Sequence, residues 1–277
     1  MVYRRIKANC NVTMTVPKDT LNPNNKPLQS ESNTPLLEQI KQAFSPEGTL
    51  SLYLLIGFAV LLFSSAIFAA IASDVTGNEP IVRFDLAIES AIHANTNPGL
   101  IQGMLVASIA GSQLIVIAAV VFGALLALCR NWRDLLLLVI TVGGEELVNI
   151  LFKNAFNRPR PIFSDPITLA TGFSFPSGHA MGSMVFYGLI AYFLMRRSKP
   201  LLERILIVLI AALIVSIIGF SRVYLGLHYL SDVLGGYSAG LAWLAFTVSS
   251  LGLYRGWRQH RRKRGQSPAV VSSDSSH

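Results

Sequence analysis

The sequence predicts an all-α, polytopic membrane protein with six transmembrane helices and both termini in the cytosol. Three observations lead there. The 277 residues are 52% hydrophobic and 14% charged, with a mean hydropathy of +0.49, whereas a soluble domain carries about 25% charged residues. Apolar runs near spanning length recur at 51–72, 103–128, 134–152, 180–195, 205–220 and 233–253, a spanning helix needing about 17 to 25 residues. The fourth and fifth runs are short and need their flanking residues to cross. Finally, basic residues are divided unevenly: with the N-terminus inside, 18 of the 23 Lys and Arg residues fall on the cytosolic side, the asymmetry that sets orientation.

Along the chain, residues 1–33 are rich in Asn, Pro, Ser and Thr and read as a disordered tail. Thr34 caps and Pro35 opens a short helix over 34–44, with Leu36, Leu37, Ile40 and Phe44 on one face, suited to the cytosolic leaflet. The first span is too long for a cleavable signal and is expected to stay as a signal-anchor. The external segment 73–99 carries Asp74, Glu79, Asp85 and Glu89 against Arg83, and its amphipathic part, 81–92, is expected to lie against the outer headgroups. In the sixth span, Gly236 and Gly240 form a small-xxx-small pair that favours close helix packing.

These readings divide the chain into a cytosolic tail with its interfacial helix (1–45), a six-helix membrane domain (46–254) and a basic, largely disordered cytosolic tail (255–277). The net charge of +8 does not indicate a nucleic-acid partner. The run Arg261-Arg262-Lys263-Arg264 is explained as a topology anchor near anionic lipid. Cys10 and Cys129 are both placed on the cytosolic side and cannot make a disulfide framework.

Three clusters carry chemistry, and each falls in an external segment. Lys153 and Arg160-Pro161, with Arg158 between them, gather cations where positive-inside pressure disfavours them. Arg offers phosphate a planar fork and Lys a point charge. Pro176-Ser177-Gly178-His179 precedes the fourth span; Ser177 is a good N-cap, and the helix start exposes amides with a dipole that favours anions. Five residues separate Ser221-Arg222 from His228, and Asp232 follows His228 by four positions. On the first turn of a helix that spacing lets the carboxylate hold one imidazole nitrogen and leaves the other free to attack.

Glu145, Asn149 and Lys153 are spaced four apart on one stripe of the third span. They suit either a hydrogen-bond network between spans or a set that orients Lys153 towards an anion. Two histidines, one orienting carboxylate, several cations and a helix N-terminus together make a site for phosphoryl transfer, which chiefly requires positioning and electrostatic stabilisation. No carboxylate cluster suits Mg²⁺ and no Cys/His set suits zinc, so neither metal nor cofactor is expected. There is no Walker-type loop and no Gly-x-Ser-x-Gly elbow.

The three clusters resemble the signature of the type 2 phosphatidic acid phosphatase family: Lys-x6-Arg-Pro, Pro-Ser-Gly-His and Ser-Arg-x5-His-x3-Asp, complete and in order at 153–161, 176–179 and 221–232. The resemblance implies a helical membrane enzyme working through a phosphohistidine. His228 would be the nucleophile, Asp232 would fix its tautomer, and His179 would serve as acid and then base. Lys153, Arg160, Arg222, Ser177 and the Gly178 amide would hold the phosphoryl oxygens. Arg158, outside the signature, is left as a headgroup contact.

The implied substrate is a lipid phosphate or pyrophosphate: phosphatidic acid, phosphatidylglycerol phosphate or polyprenyl pyrophosphate. A compact six-span chain suits a bacterial cytoplasmic membrane, with the site facing the periplasm. A phosphotransferase passing the group to an alcohol, and a non-catalytic six-span transporter or scaffold, are the alternative readings.

Overall fold

A computed structural model describes residues 46–77, 80–161 and 171–264, and within them every regular element is helical. The interfacial helix expected at 34–44 and the tails at 1–45 and 265–277 lie outside the described residues. Helix α1 (Pro46–Thr76) is a long apolar helix opened by proline. Helix α2 (Pro80–His93) is short and amphipathic. Helices α3 (Pro98–Ala110) and α4 (Gln113–Leu128) divide what the sequence suggests is one run, the break falling at Gly111-Ser112. Helices α5 (Trp132–Leu138) and α6 (Gly144–Phe156) are joined through a π-helical turn at Val139–Gly143. Helices α7 (Gly178–Met195), α8 (Leu201–Tyr224) and α9 (Leu230–Arg264) complete the bundle.

Among the described residues five stretches are long and apolar enough to cross a membrane: Leu52–Thr76, Pro98–Leu128, Trp132–Phe156, Gly178–Met195 and Leu201–Tyr224. They match the first five expected runs, extended at their ends. Large side chains such as Val106, Val116, Val120 and Leu213 are more than 60% exposed on the outer faces of α3, α4 and α8, as expected where the solvent is lipid rather than water. The chain is an integral membrane protein.

The expected sixth run, 233–253, lies in α9 but is not among the five. Its Gly, Ser, Thr and Tyr content dilutes its apolarity, and the reason is its position. Helix α9 packs against α1, α7 and α8, so much of its surface meets protein. A β-carbon on Gly236 would stand 2.7 Å from the Ser177 carbonyl oxygen, and one on Gly240 would stand 2.8 Å from that of Met181. The small-residue pair thus lets α9 approach α7 closely, as the sequence predicts. Helix α9 also runs on to Arg264, through the first ten residues of the basic segment 255–277. Apart from Gly256 that segment holds residues that favour helix, and basic residues suit a helix C-terminus.

The amphipathic α2 corrects a second expectation. It does not simply rest on headgroups: Asp85 is 1% exposed, and Ile88 and Ile92 pack against the buried cluster of Ala180, Val223 and Val233. Phe84 and Leu86 face outward instead.

Candidate active site

The three clusters meet at one end of the bundle. Helix α6 ends at Asn157, whose left-handed backbone (φ 50°) turns the chain away just after Lys153. The segment that follows is tied down where the Ser174 amide donates to the Arg158 carbonyl at 2.8 Å. Helix α8 ends at Tyr224. Gly226 (φ 68°) then folds the chain back, so that the Leu227 and His228 amides both donate to the Arg222 carbonyl, at 3.0 and 3.3 Å. Helix α7 starts where Ser177 caps the Ala180 amide, and the Ser177 amide donates to the Asp232 carbonyl at 3.0 Å. That bond joins the second cluster to the third.

His228 is 3% exposed and precedes α9 rather than lying on its first turn, as the spacing had implied. Its Nδ1 stands 3.4 Å from Asp232 Oδ2 and 3.5 Å from Ser174 Oγ, and its Nε2 stands 3.2 Å from Arg160 Nη1. Burial, opposed by Asp232 and assisted by Arg160 and Arg222, lowers the imidazole pKa to about 4. His228 is therefore neutral at physiological pH and carries a lone pair.

Asp232 is fully buried. Its Oδ2 also accepts the Tyr229 amide at 2.9 Å and the Ser174 hydroxyl. The Tyr229 bond is the reciprocal half of a capping box, made here by Asp at the third helical position. One carboxylate thus closes the start of α9 and faces the imidazole.

Arg160 donates to the Leu227 carbonyl at 2.8 Å and the Gly172 carbonyl at 3.0 Å, which fixes its fork beside His228. Burial holds its pKa below the usual arginine value. Arg222 is 7% exposed; one guanidinium nitrogen meets the Ser108 hydroxyl from α3, while Nε has no hydrogen-bond partner among the described residues. Lys153 reaches the N-terminus of α7, where a β-carbon on Gly178 would stand 3.8 Å from its Nζ and 3.0 Å from Asn149 Oδ1. His179, on the first turn of α7, lies beside Gly111 at the α3–α4 break. It is within electrostatic reach of Arg222, His228, Lys153 and Arg160.

Glu145 and Asn149 are buried, facing α7. Asn149 Nδ2 meets Met181 Sδ at 3.5 Å, Glu145 lies beside Gly182, and Glu145 Oε1 has no hydrogen-bond partner among the described residues. No described hydrogen bond joins either of them to Lys153.

Arg158 is not a headgroup contact. It is 8% exposed and donates to Asp232 Oδ1 at 2.6 Å, Asp85 Oδ2 at 2.9 Å and Ser231 Oγ at 2.7 Å, with Tyr229 stacked 4.3 Å from it. Desolvation of so buried a cation is offset by the two carboxylates, which hold its pKa above the usual value. Among the described residues, no group of three His, Cys, Asp or Glu is gathered as metal ligands would be.

Sequence reasoning missed Ser108, Ser174, Ser231 and Asp85. Asp85 alone left a trace: it sits on the stripe Ile81, Ile88, Ile92, where a charge breaks the apolar pattern. Ser174 and Ser108 carry no periodic or spacing signal.

The family model of the PAP2 superfamily matches residues 134–254. Phosphatidylglycerophosphatase B of Bacillus subtilis is 36% identical over 159 residues, which is 57% of this chain and 78% of that protein. The chain belongs to the PAP2 superfamily. It is a membrane phosphatase of the metal-independent kind. Dolichyldiphosphatase of Saccharomyces cerevisiae is 30% identical over 128 residues, 42% of this chain and 53% of that protein.

A crystal structure of a transmembrane PAP2 type phosphatidylglycerolphosphate phosphatase from Bacillus subtilis matches with a TM-score of 0.59 at 32% identity, covering 74% of this chain and 96% of that one. The PAP2 match begins at Asp134 and so spans all three clusters, but it leaves Asp85 and Ser108 outside.

Proposed function

We propose that this PAP2 enzyme hydrolyses a lipid phosphate or lipid diphosphate through a phosphohistidine on His228, at the outer face of a bacterial cytoplasmic membrane. The observation that carries the reading is the orientation of one ring: Nδ1 faces Asp232 while Nε2 faces the Arg160 guanidinium. An oxygen of a phosphoryl group held by Arg160 would leave phosphorus within reach of Nε2.

In the first step the Nε2 lone pair forms the N–P bond as the P–O bond to the leaving group breaks. His179, protonated once the phosphate anion sits beside it, gives its proton to that oxygen. In the second step a water oxygen attacks phosphorus and passes a proton to His179. The N–P bond breaks, inorganic phosphate leaves, and His228 is neutral again. Lys153, Arg160 and Arg222, with Ser177 and the Gly178 amide, hold the charge spread over the equatorial oxygens. Asp232 keeps the proton on Nδ1 and stabilises the positive ring of the intermediate. Glu145 and Asn149 support Lys153 from within α6, by packing rather than by a direct hydrogen bond.

The headgroup is read from the relatives. One is named for phosphatidylglycerol phosphate and another for a dolichyl diphosphate. Phosphatidylglycerol phosphate, phosphatidic acid and polyprenyl pyrophosphate all bring a terminal phosphate on an apolar tail to this depth. On this reading α9 is a sixth crossing, with both termini in the cytosol and all three clusters outside; the basic-residue asymmetry supports that orientation.

Purified enzyme and its His228→Ala variant, assayed for phosphate release from those three lipids, test the reading. The variant is expected to lose about 10⁴-fold or more on the preferred lipid. Turnover within tenfold of wild type would overturn the phosphohistidine, and transfer to glycerol without free phosphate would replace the hydrolase with a phosphotransferase.

A further inference from the structure

The best-built group outside the family signature is the ion network behind Asp232. Asp85 comes from α2, Arg158 from the segment after α6, and Ser231 and Asp232 from the first turn of α9. Asp85 Oδ1 accepts the Ser231 amide at 2.9 Å, and Oδ2 takes Arg158 Nη2 at 2.9 Å together with the Ser231 hydroxyl. Arg158 Nη1 reaches Asp232 Oδ1 at 2.6 Å. Asp85 and Asp232 are at most 1% exposed and Arg158 is 8% exposed. Buried ions at this density are costly unless they are closely paired and hydrogen-bonded, as these are.

Asp232 uses its two oxygens differently. Oδ1 meets Arg158; Oδ2 faces His228, Ser174 and the Tyr229 amide. Arg158 therefore controls both where the carboxylate sits and how much negative charge the imidazole feels. Asp85 controls Arg158 in turn, since it claims the other end of the same guanidinium.

We propose that Arg158 and Asp85 are positioning residues that hold the Asp232 carboxylate against His228 and set the charge it presents to the ring. The proposal rests on the reading of His228 as the nucleophile. It also gives α2 a function: a helix outside the bundle's crossings contributes the carboxylate that completes the relay.

The charge balance gives opposite signs for the two residues. His228 faces Asp232 on α9, Arg160 ahead of α7, Arg222 on α8 and His179 on α7. Arg158 faces Asp85 and Glu89 on α2, and Asp232 and Tyr229 at the start of α9. Removing the Arg158 charge leaves Asp232 more negative towards the ring and makes His228 easier to protonate. Removing the Asp85 charge leaves Arg158 wholly to Asp232 and makes His228 harder to protonate.

The test is the acid limb of the pH profile of kcat/KM, on one lipid phosphate, for wild type, Arg158→Gln, Asp85→Asn and Arg158→Lys. Arg158→Gln is expected to lose about 100-fold in kcat/KM, with its acid limb displaced upward by about one pH unit. Asp85→Asn is expected to lose about tenfold, with the limb displaced downward by about half a unit. Arg158→Lys keeps the charge, so its limb stays in place while its rate falls.

Limbs that coincide with wild type in folded Arg158→Gln and Asp85→Asn, or that move the same way in both, overturn the proposal. If Arg158→Gln fails to fold, Asp85→Asn and Arg158→Lys decide it: a downward limb in the first with an unmoved limb in the second supports it, and any other pair overturns it. His228→Ala is assayed in parallel. Activity in that variant refutes the nucleophile, whereas an inactive His228→Ala with unmoved limbs refutes only the positioning roles.

Discussion

Gly236 on α9 lies directly beneath Ser177, the cap of α7, with room for hydrogen but not for a methyl group: a β-carbon would stand 2.7 Å from the Ser177 carbonyl oxygen and 2.9 Å from Ala180 Cβ. The contact is backbone against backbone, so neither side can yield by a rotamer change. It sets the height of the α7 N-terminus, and hence of His179, against Asp232.

Gly236→Ala is therefore expected to damage the site more than the fold. Overpacking of this kind costs about 1–3 kcal/mol, and a displacement of about 1 Å at His179 costs about 100-fold in rate. Thermal unfolding in detergent together with kcat/KM measures both. A variant as active as wild type would show that α7 and α9 are not held in register here.

The lowered pKa of His228 makes a prediction about stability. Its folded value, about 4, lies below the ordinary 6.5. The protein therefore holds the associated stability above pH 6.5 and loses it as pH falls from 6.5 through 4, to a total of about 3 kcal/mol. His228→Gln has no ring to protonate. Its unfolding midpoint is expected to fall less than that of wild type between pH 7 and pH 4.5, a difference visible by thermal denaturation.

Glu89 behaves in the opposite sense. It is half-buried on α2, where burial first and Asp85 second raise its pKa to about 7 from the usual 4.5. Its contribution is full below pH 4.5 and is lost as pH rises through 7. Glu89→Gln, which cannot ionise, should be more stable than wild type at pH 8.5 and equal to it near pH 4.5. Equal unfolding midpoints at both values would contradict the burial of that carboxyl.

Ser108 meets Arg222 from α3, the only described hydroxyl to do so, and it lies outside the matched PAP2 region. Ser108→Ala frees one end of the guanidinium without adding bulk. If Arg222 binds phosphate as proposed, in ground and transition state alike, KM for a lipid phosphate is expected to rise several-fold with kcat changed less. A fall in kcat with unchanged KM would give Arg222 a role confined to the transition state.

The sequence is legible where chemistry and pattern coincide. The first five apolar runs, the Ser177 cap and the Gly236–Gly240 packing face could be read because each depends on neighbours in sequence. The gathering of Lys153, Arg160, His179, Arg222, His228 and Asp232 could be read only because three segments at the ends of apolar runs carry complementary chemistry.

What escaped depends on distant partners. Helix α9 is too polar to register among the apolar spans because much of its surface is covered by protein. The α3–α4 break at Gly111 answers to His179, nearly seventy residues on. Asp85 reads in sequence as one more acid of the segment 73–99 because its partners, Arg158 and Ser231, are 73 and 146 residues away.

The capping bond from the Tyr229 amide to Asp232 has a consequence for how this enzyme is switched off. The carboxylate oxygen that closes the first turn of α9 is the one that faces His228, so fraying of that turn and loss of the orienting partner are a single event. If His228 is the nucleophile, heat or denaturant that loosens this first turn is expected to stop turnover before the apolar helices part. Inactivation is thus expected to precede unfolding, and the more fragile of the two is written into the opening turn of the longest helix.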